Sequence, residues 1–425
     1  MVNTLGMENI VFNSLLIVIV IAYILAMIPI VRRSFQNDYK NKYNDLLVLI
    51  LSVLVGTFLA IPYNASFLIP YPWNFFLVVF TGAYLLVHLV VGYFPSKESK
   101  EAERVSDQFG LKKEGKRKLF HALAFGYYIA FLFGPLIMIG ITYIESPFLI
   151  TEEYYAMVYF LAYTMDPMWF GLSFLLFIYM GSFIVMMDAE LVRLNWPNSN
   201  FPLKQTLKSV KREEEKNTLA AHPHMIMSWT FSAILFIYLA PDVRSAAFSI
   251  FGMITICIFG DMMAALAGRA LGKHKWSFFK EKSIEGTAIG FFSGLWVGWL
   301  FLGGVLAFLG ALIFILTDIV FPKFIKISDN SLNPLLITLV FLPLLQIPGI
   351  LNPLLPIAFI GVEHFAPYRL NYTAPNSWYG TFPFVLLFFF IIIVIGLMIA
   401  YKFRKEQIFL LFTGKRKDDK ERNVK

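Results

Sequence analysis

Residues 10–31 read Ile10-Val-Phe-Asn-Ser-Leu-Leu-Ile-Val-Ile-Val-Ile-Ala-Tyr-Ile-Leu-Ala-Met-Ile-Pro-Ile-Val31, without one charged side chain. Wound as an α-helix at about 1.5 Å per residue, the run is about 33 Å long and can cross a hydrocarbon core about 30 Å thick. Leu46 to Pro62 and Phe382 to Tyr401 are runs of the same kind. The whole composition agrees: of 425 residues 58% are hydrophobic, 17% aromatic and only 15% charged, against about 25% charged in an ordinary soluble domain. A soluble globular protein is excluded, and a polytopic membrane protein is implied. No basic stretch precedes the first run and no small-residue cleavage site follows it, so it is expected to be a span and not a cleaved signal. The single cysteine, Cys257, lies in an apolar run and leaves no intrachain disulfide or cysteine metal cluster to form.

Working outward, spans are expected near 10–31, 46–62, 73–94, 119–144, 168–187, 225–240, 245–268, 287–302, 303–320, 334–362 and 381–401. The fold class is all-α, a transmembrane bundle of about 9–11 spans. Thr287 to Val320 is too long for one upright helix and is expected to fold back at Gly303 and Gly304. Pro343, Pro348, Pro353 and Pro356 interrupt the run before Gly361; a proline-broken helix persists in lipid where protein or water satisfies its freed carbonyls, so this stretch is expected inside the bundle.

Lysine and arginine concentrate in cytoplasmic loops. With the amino terminus outside and the carboxyl terminus inside, segments 32–45, 95–118, 188–224, 269–286, 321–333 and 402–425 face the cytoplasm. They hold all of the 36 basic residues except Arg244 and Arg369, while Glu145 to Asp166 outside is purely acidic. The net charge of +8 is then a basic inner face against anionic lipid and calls for no nucleic acid. The chain divides into amino-terminal spans with a basic loop (1–114), a central membrane domain (115–300), and carboxyl-terminal spans with a basic tail (301–425).

Polar residues within spans are costly and are functional candidates by default. The most informative stretch is Cys257-Ile-Phe-Gly-Asp261-Met-Met-Ala-Ala-Leu-Ala-Gly268-Arg269-Ala-Leu-Gly272-Lys273-His274-Lys275, followed by Lys280-Glu-Lys282-Ser283-Ile-Glu285-Gly286-Thr287. Asp261 lies about two helical turns, roughly 12 Å, deeper than Arg269, so it should meet a cation, a metal or water. Gly272 and the lysines after it read as a phosphate loop, where free backbone N–H groups and ammonium charges meet anionic oxygens. Gly286 and Thr287 open the next helix, itself an anion site. For Arg269, Lys273, Lys275 and Lys282 the alternative is a set of membrane-surface anchors, and for Asp261 a structural hydrogen bond to another helix.

A second cluster, Gly115-Lys116-Arg117-Lys118-Leu-Phe-His121, sits where the longest cytoplasmic loop enters a span. Arg117 and His121 share a helix face, and arginine suits bidentate phosphate binding. A third cluster holds Asp188, Glu190 and Arg193, then Glu213 to Lys216, then His222 and His224. Asp188 lies at the depth of the basic loops, where it can hold Mg²⁺ for a nucleotide.

At these residues the sequence resembles the dolichol kinase family, integral-membrane lipid kinases that include phytol kinase and the CTP-dependent diacylglycerol kinase. The resemblance rests on Arg117-Lys118-x-x-His121, on Gly260-Asp261-x-x-Ala264-Ala265-x-x-Gly268-Arg269-x-x-Gly272-Lys273 and on Lys282-Ser283-x-Glu285-Gly286-Thr287, and covers roughly 115–300. Where that family has a Thr-Gly or Ser-Gly pair before the next span, this chain has Thr218-Leu-Ala-Ala-His222-Pro. The resemblance implies CTP-dependent phosphorylation of a lipid alcohol, with Arg117, Lys118 and Asp261 essential and the nucleotide loop at Gly268 through Gly286.

The expectation is therefore a lipid kinase acting on a dolichol or polyprenol type alcohol at the cytoplasmic interface of the cell or endoplasmic reticulum membrane. Asp261 is assigned to Mg²⁺ or the hydroxyl proton, Arg117, Lys273 and Lys282 to the phosphates, and Asp188 to a supporting metal role. Two other readings stand beside it: a cytidylyltransferase making a CDP-lipid, and a transporter without chemistry.

Overall fold

Every long apolar run that falls within residues 2–61, 67–70, 73–93, 167–196, 200–201, 204, 215–277, 282–324 and 326–353, the residues described by a computed structural model of the chain, is a helix. In order these are α1 (Val2–Gln36), α2 (Lys42–Ala60), α3 (Trp73–Tyr93), α4 (Pro167–Asn195), α5 (Ala221–Leu239), α6 (Val243–Ala270), α7 (Ile284–Leu302), α8 (Gly304–Ile315) and α9 (Asp329–Leu344). Six of them, α1 to α4, α6 and α7, are long and apolar enough to cross a membrane. No strand occurs among the described residues; a single bridge pairs Lys275 with Ser283. The expected spans at 119–144 and 381–401 lie outside the described residues.

Outward faces are hydrocarbon, as lipid contact requires: Val18 and Leu25 on α1 and Leu86 and Leu89 on α3 are exposed. α5 is the opposite case. It packs against α2, α4, α6 and α9, and its His222, His224, Ser228, Thr230 and Ser232 are all buried. A helix enclosed by other helices has no face that must be apolar toward lipid, so α5 can carry this run of polar side chains.

α3 and α4 run parallel, with Trp73 beside Phe174 and His88 beside Asp188; the other successive helices reverse direction, and cross-helix contacts fix the registers. α1 and α2 are antiparallel, with the Ser34 hydroxyl donating to Asp45 Oδ2 at 2.5 Å while Gly56 faces Val20. α6 and α7 form the closest pair. Gly286 faces Gly268, Gly290 faces Ala264 and Gly298 faces Ile256, and a Cβ at Gly290 would lie 2.7 Å from Ala264 Cβ and 2.9 Å from the Gly260 oxygen. Residues four apart share a helix face, so this glycine row lets two backbones approach as larger side chains would not.

The long run divides where expected. Gly303 has φ +80, which favours glycine, and a Cβ there would meet the Asn352 oxygen at 2.6 Å. α8 returns along α6, with Phe314 against Gly260 and Ile256 against Gly310. It then loosens into a π-helical turn, Leu316–Val320, and a short 3₁₀ turn, Phe321–Lys323. α9 carries Pro334 and Pro343 within it and packs on α5, α6 and α8, but it ends at Leu344, and Pro343, Ile347, Pro348 and Gly349 are exposed, so the described part of the proline-broken stretch does not lie inside the bundle as expected. The helix reversals gather Arg33, Arg193, Arg269, Lys282, Asp318 and Asp329 at one end of the bundle, and leave Arg244 at the other.

Candidate functional site

Three carboxylates meet at that end, each supplied by a different element. Asp261 comes from α6, Asp318 from the π-helical turn after α8, and Asp329 from the first residue of α9. One oxygen from each lies within 4.8 Å of the others. Asp318 is buried and the other two are half-buried. The start of α9 is held in place by the Ser328 N–H, which donates to Asn44 Oδ1 at 2.8 Å, and the π turn by the Thr317 hydroxyl, which meets Asn333 Oδ1.

Lys282 enters this group from the loop before α7. Its Nζ lies 2.6 Å from Asp318 Oδ1. Burial disfavours the ammonium, but Asp318, Asp329 and Asp261 outweigh that, and the lysine's pKa is raised above its ordinary value. Three carboxylates this close together repel one another in a helix bundle, and Lys282 offsets part of that repulsion. A hard divalent ion with oxygen ligands, Mg²⁺ above all, matches both the charge and the donor set.

The loop from Leu271 to Ser283 is clamped at its base. Ile284 N donates to the His274 oxygen at 2.9 Å, Trp276 Nε1 to Thr287 Oγ1 at 3.1 Å, and Gly286 N to Ser283 Oγ, the cap of α7, at 3.1 Å. Glu285 accepts from the backbone N–H groups of Lys273 and His274, each at 3.1 Å, and pairs with His274 Nδ1 at 2.7 Å. The N–H groups expected to be free for phosphate at 273 and 274 are therefore taken by Glu285. The motif glycines also act sterically: a Cβ at Gly272 would lie 2.1 Å from the Gly268 oxygen, and one at Gly286 would lie 2.7 Å from the Ala264 oxygen. Arg269, Lys273 and Lys275 form an exposed basic rim outside the buried carboxylates.

Below the carboxylates is a cavity of about 20 Å³ between α5, α6 and α9. Asp261, Asp329, Asn330 and Asn333 form one wall, and Met225, Trp229, Cys257 and Ile258 the other. A cavity of this size holds a group of one or two non-hydrogen atoms and is too small for a phosphate chain.

Other expected site residues sit elsewhere. Asp188 of α4 pairs with the His88 ring of α3 and is not one of the carboxylates that converge on Asp261. Arg193 forms a structural clamp. Its Nε and one terminal nitrogen hold Glu190 at 3.0 and 2.6 Å, and it donates to the carbonyls of Lys216 and Thr218 at 2.7 and 2.6 Å. Arg117, Lys118 and His121 lie outside the described residues. Asp318 and Asp329 were not among the expected site residues. Asp318 carried a usable signal, an acid within a long apolar run. Asp329 carried none, since it reads as a loop residue.

Comparisons of the chain with protein-family models, curated proteins and solved structures found no match. Geometry and the motif resemblance are what a functional reading can use.

Proposed function

We propose that this chain is a divalent-cation-dependent membrane phosphotransferase that moves the γ-phosphoryl group of a nucleoside triphosphate, CTP by the resemblance, to a lipid alcohol of dolichol or polyprenol type. The observation that carries the reading is the meeting of Asp261, Asp318 and Asp329 with Lys282 under an exposed basic rim. A lipid hydroxyl stays at the interface while a nucleotide arrives from water, so such chemistry belongs at one end of a bundle, and by the positive-inside pattern that end is cytoplasmic.

Phosphoryl transfer asks mainly for positioning and charge neutralisation. Asp261, Asp318 and Asp329 would hold Mg²⁺, which when bound neutralises the phosphate oxygens. Lys282 fixes Asp318 and lowers the local negative charge that would repel a triphosphate. Arg269, Lys273 and Lys275 offer ammonium and guanidinium groups to its outer oxygens. The acceptor oxygen bonds to the γ-phosphorus, the bond to the β-phosphate bridge breaks, the nucleoside diphosphate leaves, and the hydroxyl proton passes to Asp261, a carboxylate shared by the cluster and the cavity wall.

The test is purified protein in liposomes with polyprenol, Mg²⁺ and CTP labelled at either the α or the γ position. Label in the lipid from the γ position alone is the expected result. Label from the α position would make the protein a cytidylyltransferase, and no labelled lipid at all would remove the phosphotransferase reading.

A further inference from the structure

The two walls of the cavity differ in chemistry, and neither a metal ion nor a triphosphate explains both. A cation draws its ligands from Asp261 and Asp329 and gains nothing from the indole of Trp229 or the side chains of Ile258 and Cys257. A triphosphate is too large for about 20 Å³ and would meet carboxylates without lysine or arginine among the lining residues. A water molecule would use the polar wall alone, since apolar surface offers no hydrogen bond.

A terminal hydroxymethyl group uses both. Its carbon can lie on the apolar wall and its oxygen can face Asp261 or Asp329, beside the cluster already assigned to phosphoryl transfer. The size of the cavity limits it to that terminal group, so the remaining chain must leave it. Resting on the function proposed above, we infer that the cavity between Trp229, Cys257 and Asp261 receives the hydroxymethyl end of a primary lipid alcohol. Trp229 and Cys257 set how much bulk is tolerated at the carbon bearing the hydroxyl. Asn333 positions the oxygen by lining the polar wall while its own side-chain oxygen is fixed by Thr317.

Two measurements on the full-length protein in liposomes test this. In the first, unaltered protein is offered a primary polyprenol and its secondary analogue carrying one methyl group on the carbinol carbon. Phosphorylation of the secondary alcohol should be at least about 10-fold slower, since one misplaced methyl is worth roughly 10-fold or more in a shaped pocket. In the second, Cys257→Leu narrows the cavity and should raise KM for the primary alcohol about 10-fold with KM for CTP unchanged, while Cys257→Ala should narrow the gap between primary and secondary alcohols.

Equal rates for the two alcohols, or an unchanged lipid KM in Cys257→Leu, would overturn the assignment and leave the phosphotransferase reading intact. Because the first measurement needs no substitution, a Cys257→Leu protein that does not fold leaves a decisive result. If neither alcohol is phosphorylated by the unaltered protein, the phosphotransferase reading fails, and this inference fails with it.

Discussion

The Lys282 ammonium lies 2.6 Å from the Asp318 carboxylate and ties the loop before α7 to the π-helical turn after α8. Its charge helps three aspartates share one end of the bundle. Lys282→Met should therefore lower the melting temperature of the metal-free protein, and added Mg²⁺ should restore more stability to the variant than it adds to the original chain. Thermal unfolding with and without Mg²⁺ checks this. A variant whose melting temperature matches the original in both conditions would show that the pair carries no weight.

The pH dependence of that pair has a fixed sign. The folded-state pKa of Lys282 is raised by its carboxylate neighbours against the opposing effect of burial, so the pair's contribution is complete below the ordinary lysine value of about 10.4. It fades only as pH climbs through the higher folded value. The difference in melting temperature between the original chain and Lys282→Met should thus stay constant from about pH 6 to about pH 9. A difference that collapses within that window would mean the lysine is neutral there.

Gly290 sits where α6 and α7 touch, and a Cβ would meet Ala264 Cβ at 2.7 Å and the Gly260 oxygen at 2.9 Å. Gly290→Val should cost roughly 1–3 kcal/mol by overpacking and reduce phosphotransfer through displacement of Asp261. Gly82 on α3 has nothing within 4 Å, and Gly82→Ala should be neutral or slightly stabilising. Similar stability losses for the two substitutions would contradict the observed packing.

Arg193 holds Glu190, which is 1% exposed, and also the carbonyls of Lys216 and Thr218, while Glu190 accepts from Ala220 N at 2.9 Å. Removing the guanidinium leaves a buried carboxylate without its cation, a loss of about 3–5 kcal/mol. Arg193→Lys should recover little, because one ammonium cannot reproduce the fork. Full rescue by lysine, measured by thermal unfolding, would mean that charge alone matters at this position.

How much of this was legible in the chain follows from which interactions are local. The apolar runs and the fold-back at Gly303 could be read because lipid imposes hydropathy on each segment separately, and Asp261 stood out for the same reason. Asp318 carried the same signal, an acid near the end of the apolar run 303–320, but no motif surrounds it. Asp329 depends on α9 returning antiparallel to α8, a tertiary fact without a local mark. Gly272 and Gly286 were read as anion sites; Gly286 also begins a row spaced by four with Gly290, Gly294 and Gly298, which is a helix-packing pattern. Glu285, read as part of a nucleotide loop, folds that loop by taking its N–H groups.

The most direct test of the three-aspartate centre uses Asp318→Asn, a substitution outside the stretch that carries the motif resemblance. The measurement is the transfer of γ-label from CTP to polyprenol by purified protein in liposomes, at saturating substrates and with Mg²⁺ titrated. The account predicts a fall of roughly 10²-fold or more, the scale of losing one preorganised charge contact, together with a higher Mg²⁺ requirement, in a variant that still inserts and unfolds cooperatively. Transfer at the original rate with an unchanged Mg²⁺ requirement would contradict it.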